Sequence, residues 1–164
     1  MSAVVFHSKV PVERTQSNAL ASAMATIEFA SAVYGPPAIR LSADTMQEAQ
    51  HALAVCEAAL VPCDPRDLKQ WMMALNDAVG NPLSRDDFAS RLRAASVLIS
   101  DIPACSVNFD TLRDAMRRFR FYPSVAELIS VFAEPAEILK AKRRNLKKLI
   151  ACAQTPTTEE NDDE

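Results

Sequence analysis

The 164-residue chain contains only two glycines, two histidines and four cysteines, and aromatics make up 6% of it. Each shortage excludes something. Gly35 and Gly80 stand alone, so the chain holds no GxxxxGK[ST] loop, no GxGxxG and no GxSxG elbow. Those motifs need glycine where the backbone turns sharply or closely approaches a phosphate. P-loop nucleotide hydrolysis, a Rossmann cofactor site and an α/β-hydrolase are therefore excluded, and no cofactor is expected. Cys56, Cys63, Cys105 and Cys152 form no CxxC, and with only His7 and His51 beside them they match no zinc spacing. Free, reduced thiols and no metal are expected. No apolar run approaches ~18 residues, so no membrane span and no membrane partner are expected. The N-terminal MSAVVFHSKV lacks the charged start and long apolar stretch of a signal peptide, which points to the cytoplasm.

The chain is 49% hydrophobic. Abundant alanine with little glycine favours helix over sheet. The length suits about one domain. The expected fold is all-α: a single-domain bundle of six or seven helices over 17–153, with an N-terminal arm at 1–16 and a disordered acidic tail at 154–164.

Apolar residues at helical spacing place the elements. A first helix over 17–34 buries Leu20, Met24 and Ile27 and stops at Gly35-Pro36-Pro37. A second over 44–60 is capped by Asp44 with Gln47 and buries Met46, Ala49, Leu53, Cys56 and Leu60. A third starts at Asp64-Pro65 and buries Leu68, Trp71, Met72, Leu75 and Val79, ending at Gly80. A fourth, capped by Ser84, turns Phe88, Leu92, Ala95 and Ile99 inward. A fifth over 108–120 uses Phe109, Leu112, Met116 and Phe119. Tyr122-Pro123 breaks the chain. A short sixth helix follows, boxed by Ser124 and Glu127, with Val125, Leu128, Ile129 and Phe132 apolar. A seventh covers 135–153.

Charge is unevenly distributed. Residues 1–104 carry 8 basic and 11 acidic side chains, residues 105–153 carry 10 and 5, and residues 154–164 carry 5 acids and no base. On the seventh helix, Lys140, Arg143, Arg144, Lys147 and Lys148 share an arc of roughly 140° at ~100° per residue. Ile138, Leu139, Leu146, Leu149 and Ile150 occupy the other side, where Lys142 must snorkel outward. On the fifth, Arg113, Arg117 and Arg120 make a second stripe, while Arg118 is placed to pair with Asp114. Such stripes can neutralise nucleic-acid phosphates, meet an acidic protein surface, or serve solubility alone. The acidic tail could screen the basic face, bind a partner, or only solubilise.

Two functions lack support. A sequence-reading helix-turn-helix around Tyr122-Pro123 would need polar side chains on its second helix, and SVAELISVF carries no Lys, Arg, Asn or Gln. The carboxylate pairs Asp86/Asp87 and Asp64/Asp67 are explained by helix N-termini, and no nucleophile–base set is suggested, so an enzyme is not expected.

From Asp64 to Phe132 the chain has a Trp71/Leu75 helix, a polar helix with Arg91 and Arg93, an Ile102-Pro103 linker, and then Arg120-Phe121-Tyr122-Pro123-Ser124-Val125-Ala126-Glu127-Leu128. That last stretch resembles the aromatic-Pro-Ser/Thr-x-x-Glu-Phe/Leu element of phage and prophage replication proteins related to the P-type helicase loaders. The resemblance implies a non-ATPase adaptor that delivers or restrains a replicative helicase and has some affinity for DNA. It transfers no functional residue. The expectation is a non-catalytic DNA replication accessory that touches DNA through its basic helices. The alternative is a protein–protein regulator or inhibitor without nucleic-acid contact.

Overall fold

The computed structural model describes residues 16–33, 39–98 and 101–154. It is all-α. The described helices are α1 (Asn18–Val33), α2 (Ala43–Ala59), α3 (Pro65–Ala78), α4 (Arg85–Leu98), α5 (Phe109–Arg118) and α6 (Val125–Gln154), with a 3-10 turn at Ala104–Ser106. Apart from Gln16 and from Gln154, which belongs to α6, the expected arm and acidic tail lie outside the described residues, as do the stop at Gly35 and the inward Ile99. The described chain groups into two compact units, one of Ala58–Lys140 and one of residues 16–57 and 141–154.

In the first unit, α3 packs against α4 and α5. Its entry follows the sequence: Asp64 accepts from the Arg66 amide at 2.8 Å, and Pro65 spends no donor at the first helical position. Trp71, Met72 and Leu75 are wholly buried, with Leu68 and Val79 nearly so. The segments before α3 and after α4 are clipped together by Cys63 N–H to Ile102 O and Ala104 N–H to Val61 O, both 2.8 Å.

A polar chain runs through this apolar core. Trp71 Nε1–H donates to Thr111 Oγ1 at 3.2 Å, and that hydroxyl donates onward to the Ser106 carbonyl at 2.8 Å. Ser106, itself fully buried, donates its hydroxyl to the Phe132 carbonyl at 2.8 Å. Trp71 Nε1, Thr111 Oγ1 and Ser106 Oγ each thereby have a partner, which avoids a desolvation cost of about 1–3 kcal/mol apiece. The Trp71 and Phe132 rings meet at 4.7 Å between centroids.

Anchoring Thr111 beneath Trp71 sets the rotation of α5. Thr111, Leu112 and Ala115 face the core, while Phe109 is 58% exposed and Met116 39%. The expected stripe through Phe109 and Met116 is thus corrected: an indole donor and a threonine hydroxyl outrank apolar size in choosing the inward face. Ile129 and Ile138 are likewise exposed, not core.

The sixth and seventh helices of the sequence reading are one continuous α6, with Pro135 inside it. Proline withholds the N–H that would bond the Val131 carbonyl, and it costs about 3 kcal/mol in a helix interior. Leu128, Phe132 and Ala136 recur at four-residue spacing and are all buried. Burying a Leu and a Phe contributes about 1.5–3 kcal/mol each, enough to carry the helix through the proline. The Ser106 hydroxyl supplies a donor to the turn just before it.

The start of α6 is the expected capping box. Glu127 accepts from the Ser124 amide at 2.7 Å and hydroxyl at 2.8 Å, and its own amide donates to Ser124 Oγ at 3.3 Å. The Ser124 amide, then its hydroxyl, hold the Glu127 carboxyl below the ordinary 4.5. A lowered folded pKa stabilises above 4.5, and that contribution is lost as pH falls through the lowered value. Glu127→Gln should therefore flatten part of the acid limb of a stability–pH curve below pH 4.5 and leave the region above it parallel to wild type.

In the second unit, Leu20 and Ile27 of α1, Ala49, Ala52 and Cys56 of α2, and Leu146 and Leu149 of α6 are buried. Met24, Met46, Leu53 and Ile150 are half-buried. The cap of α2 is Ser42 rather than Asp44: the Thr45 amide donates to Ser42 Oγ at 3.1 Å, and the two hydroxyls lie 2.8 Å apart. Asp44 sits instead in the first turn, near the positive end of the helix dipole. The Ser17 hydroxyl accepts from the Leu20 amide at 3.2 Å and donates to Glu48.

Candidate nucleic-acid interface

The eight cations singled out by sequence divide between the two units. Arg113, Arg117, Arg120 and Lys140 belong to the first; Arg143, Arg144, Lys147 and Lys148 belong to the second.

On α5 the arginines stand out to solvent because the opposite face is committed to Trp71 and the core. They are not unopposed. Arg113 meets Asp110 at 2.8 Å, and Arg117 reaches Asp114 at 4.0 Å, all four side chains at least 60% exposed. The sequence spacing pairs Asp114 with Arg118, four residues on. Its nearer cation is Arg117, three residues on, and Arg118 lies over the Phe119 ring at 5.5 Å. Both spacings are within reach on a helix, and ring stacking draws the guanidinium of Arg118 aside. The first stripe is consequently a mixed-charge surface, less positive than the arginines alone suggest. Lys140 is similarly paired, with Glu137 at 2.8 Å.

Segment 141–154 differs. It contains five cations and no acid. Leu146 and Leu149 are wholly buried, which turns Arg144, Lys147 and Lys148 outward. Lys147 meets Glu57 of α2 at 2.8 Å; that hydrogen bond, then the charge of Lys147, hold the Glu57 carboxyl below its usual range, with Arg143 adding to the effect. Among the described residues no acid pairs with Arg144 or Lys148. Lys142 is half-buried on the apolar side, as its position in the sequence requires, and burial lowers its pKa. Exposed ion pairs such as these are weak, because water screens the charges and fixing two long side chains costs entropy. A phosphate can displace the carboxylate from them.

One residue that the cation pattern did not single out is Phe121. It lies between α5 and α6, 60% exposed, with the Arg120 guanidinium 5.7 Å from its ring centroid. Its signal in the sequence is the alternation Arg118-Phe119-Arg120-Phe121, with no acid between Asp114 and Glu127.

The cysteines are free thiols. Burial, then the Asp67 carboxylate, push Cys63 up to about 11, and burial raises Cys105, so neither thiol is poised as a thiolate nucleophile. Among the described residues no three His, Cys, Asp or Glu side chains gather as metal ligands, and no helix is long and apolar enough to cross a membrane. Comparison with protein families, curated proteins and solved structures finds no match to this chain.

Proposed function

We propose that the chain is a non-catalytic binding protein, a phage- or prophage-type DNA replication accessory that contacts DNA through basic helices. The reading is carried by the acid-free cationic segment 141–154, whose buried Leu146 and Leu149 fix which side faces outward. Arg143, Arg144, Lys147 and Lys148 take the role of phosphate ligands there. Arg113, Arg117, Arg120 and Lys140 are auxiliary, since three of the four must first exchange a carboxylate for a phosphate, whereas in the α6 set only Lys147 is so paired, with Glu57.

The test is a salt titration of full-length protein on a fluorescent duplex. The logarithm of the binding constant falls linearly with the logarithm of salt, by about 0.9 for each phosphate neutralised on duplex DNA. Engagement of Arg143, Arg144, Lys147 and Lys148 predicts a slope of about −3.6. A flat titration, or no binding at low salt, removes the proposal.

The adaptor role, with a replicative helicase or another protein as partner, draws on a different surface. A groove of about 370 Å³ in the first unit is walled by α5 and α6, with Val131, Pro135 and Ile138 apolar and Asp110, Asp114 and Glu134 acidic. Ile138 is 65% exposed there. If this groove grips the partner, Ile138→Glu should abolish co-sedimentation with purified helicase while leaving the DNA titration unchanged. A protein regulator without nucleic-acid contact would keep the first property and lack the second.

A further inference from the structure

We propose that Phe121, backed by Arg120, is a stacking platform for a base of single-stranded nucleic acid; the inference rests on the reading of the chain as a nucleic-acid binder and names the form of its ligand. Single strands are held where a cationic path for the backbone is interleaved with aromatic rings, because every base offers a π-face. The segment RRFRFYPS, Arg117 to Ser124, carries three arginines, three aromatics and no acid.

The segment is built to hold Phe121 outward. On one side, the Arg120 carbonyl accepts from the Gly80 amide at 3.0 Å, tying the chain to the end of α3. On the other, Tyr122 is buried and meets Phe88 edge-on at 6.0 Å between centroids. Pro123 is buried as well, and its carbonyl accepts from Arg91 Nη1 at 3.4 Å. With Tyr122 turned in and the backbone pinned at Arg120 and Pro123, the intervening ring faces solvent. A ring already held in place loses little freedom when a base stacks on it. Arg120 occupies one side of the ring and polarises it, and its charge remains available to the adjoining phosphate. Duplex DNA, whose bases are already stacked, offers this platform nothing.

The experiment measures affinity of the full chain for oligo(dT), oligo(U) and a duplex of equal length. Phe121→Ala and Phe121→Leu should each lose about tenfold for the single strands, the lower part of the range for one base–aromatic stack, and less than about twofold for the duplex. The dT and U arms tell DNA from RNA. Phe121→Trp should restore affinity and add an emission that the bound strand quenches; Trp71, the other tryptophan, is wholly buried and supplies the wild-type background. Because Phe121 is exposed, all three variants should retain the wild-type unfolding midpoint. Unchanged single-strand affinity in Phe121→Ala overturns the platform and leaves the phosphate reading standing. An equal loss on duplex and single strand also overturns it. Failure of the wild-type protein to bind any of the three overturns both.

Discussion

Reversing two charges, Arg144→Glu together with Lys148→Glu, should cut DNA affinity on the order of a thousandfold at low salt. A unit charge about 4 Å from a phosphate is worth about 1 kcal/mol in water. Reversal replaces that attraction with an equal repulsion, about 2 kcal/mol per residue and about 4 kcal/mol for the pair. The neutral pair Arg144→Gln and Lys148→Gln should lose half as much free energy, and its salt slope should fall by about 2. Both side chains are exposed, so neither variant should unfold. The contrast with Lys147→Glu is informative: that change sets a carboxylate against Glu57 and mixes a loss of stability with any loss of binding. Fluorescence anisotropy on a labelled duplex reads the effect. An affinity within about threefold of wild type in the double reversal would mean that segment 141–154 is only a solvated surface.

The largest effect on stability is expected at Trp71. Trp71→Ala should cost about 3–5 kcal/mol, the usual range for emptying a buried aromatic site. Most domains hold only 5–15 kcal/mol in total. Here the indole also donates to Thr111, which orients α5, and meets the Phe132 ring at a tilt of 57°, which seats α6 around Pro135. Trp71→Phe keeps a ring against Phe132 but withdraws the donor, so it should cost less than the alanine variant and still destabilise. Circular dichroism in urea is the suitable measurement, since Trp71 is the only tryptophan and its own variants have no indole emission. A midpoint for Trp71→Ala equal to wild type would show that the Trp71–Thr111–Ser106–Phe132 chain does not hold this unit together.

Much of this architecture is legible in the sequence because its determinants are local. Asp64-Pro65, Ser84 and Ser124 with Glu127 open helices where short-range capping chemistry puts them. The Leu68–Val79 stripe is buried as its spacing demands. Capping also misleads where two candidates stand two residues apart, as with Ser42 and Asp44. The basic residues are equally visible, but their net charge is not: acids three residues earlier on α5 partly neutralise Arg113 and Arg117. The partner of Lys147 sits on another helix, at Glu57, and no local pattern points to it.

By itself the sequence determined the all-α class, most helix starts and the existence of a cationic segment near the carboxyl end, because propensity, capping and charge act over a few residues. Only the tertiary structure decided that α5 turns Phe109 outward, that α6 runs through Pro135, and that Phe121 is held out while Tyr122 is held in. Those outcomes depend on burial and hydrogen bonds between residues far apart in the chain, where contacts of Trp71, Ser106 and Gly80 outweigh the local preferences of the segments they touch.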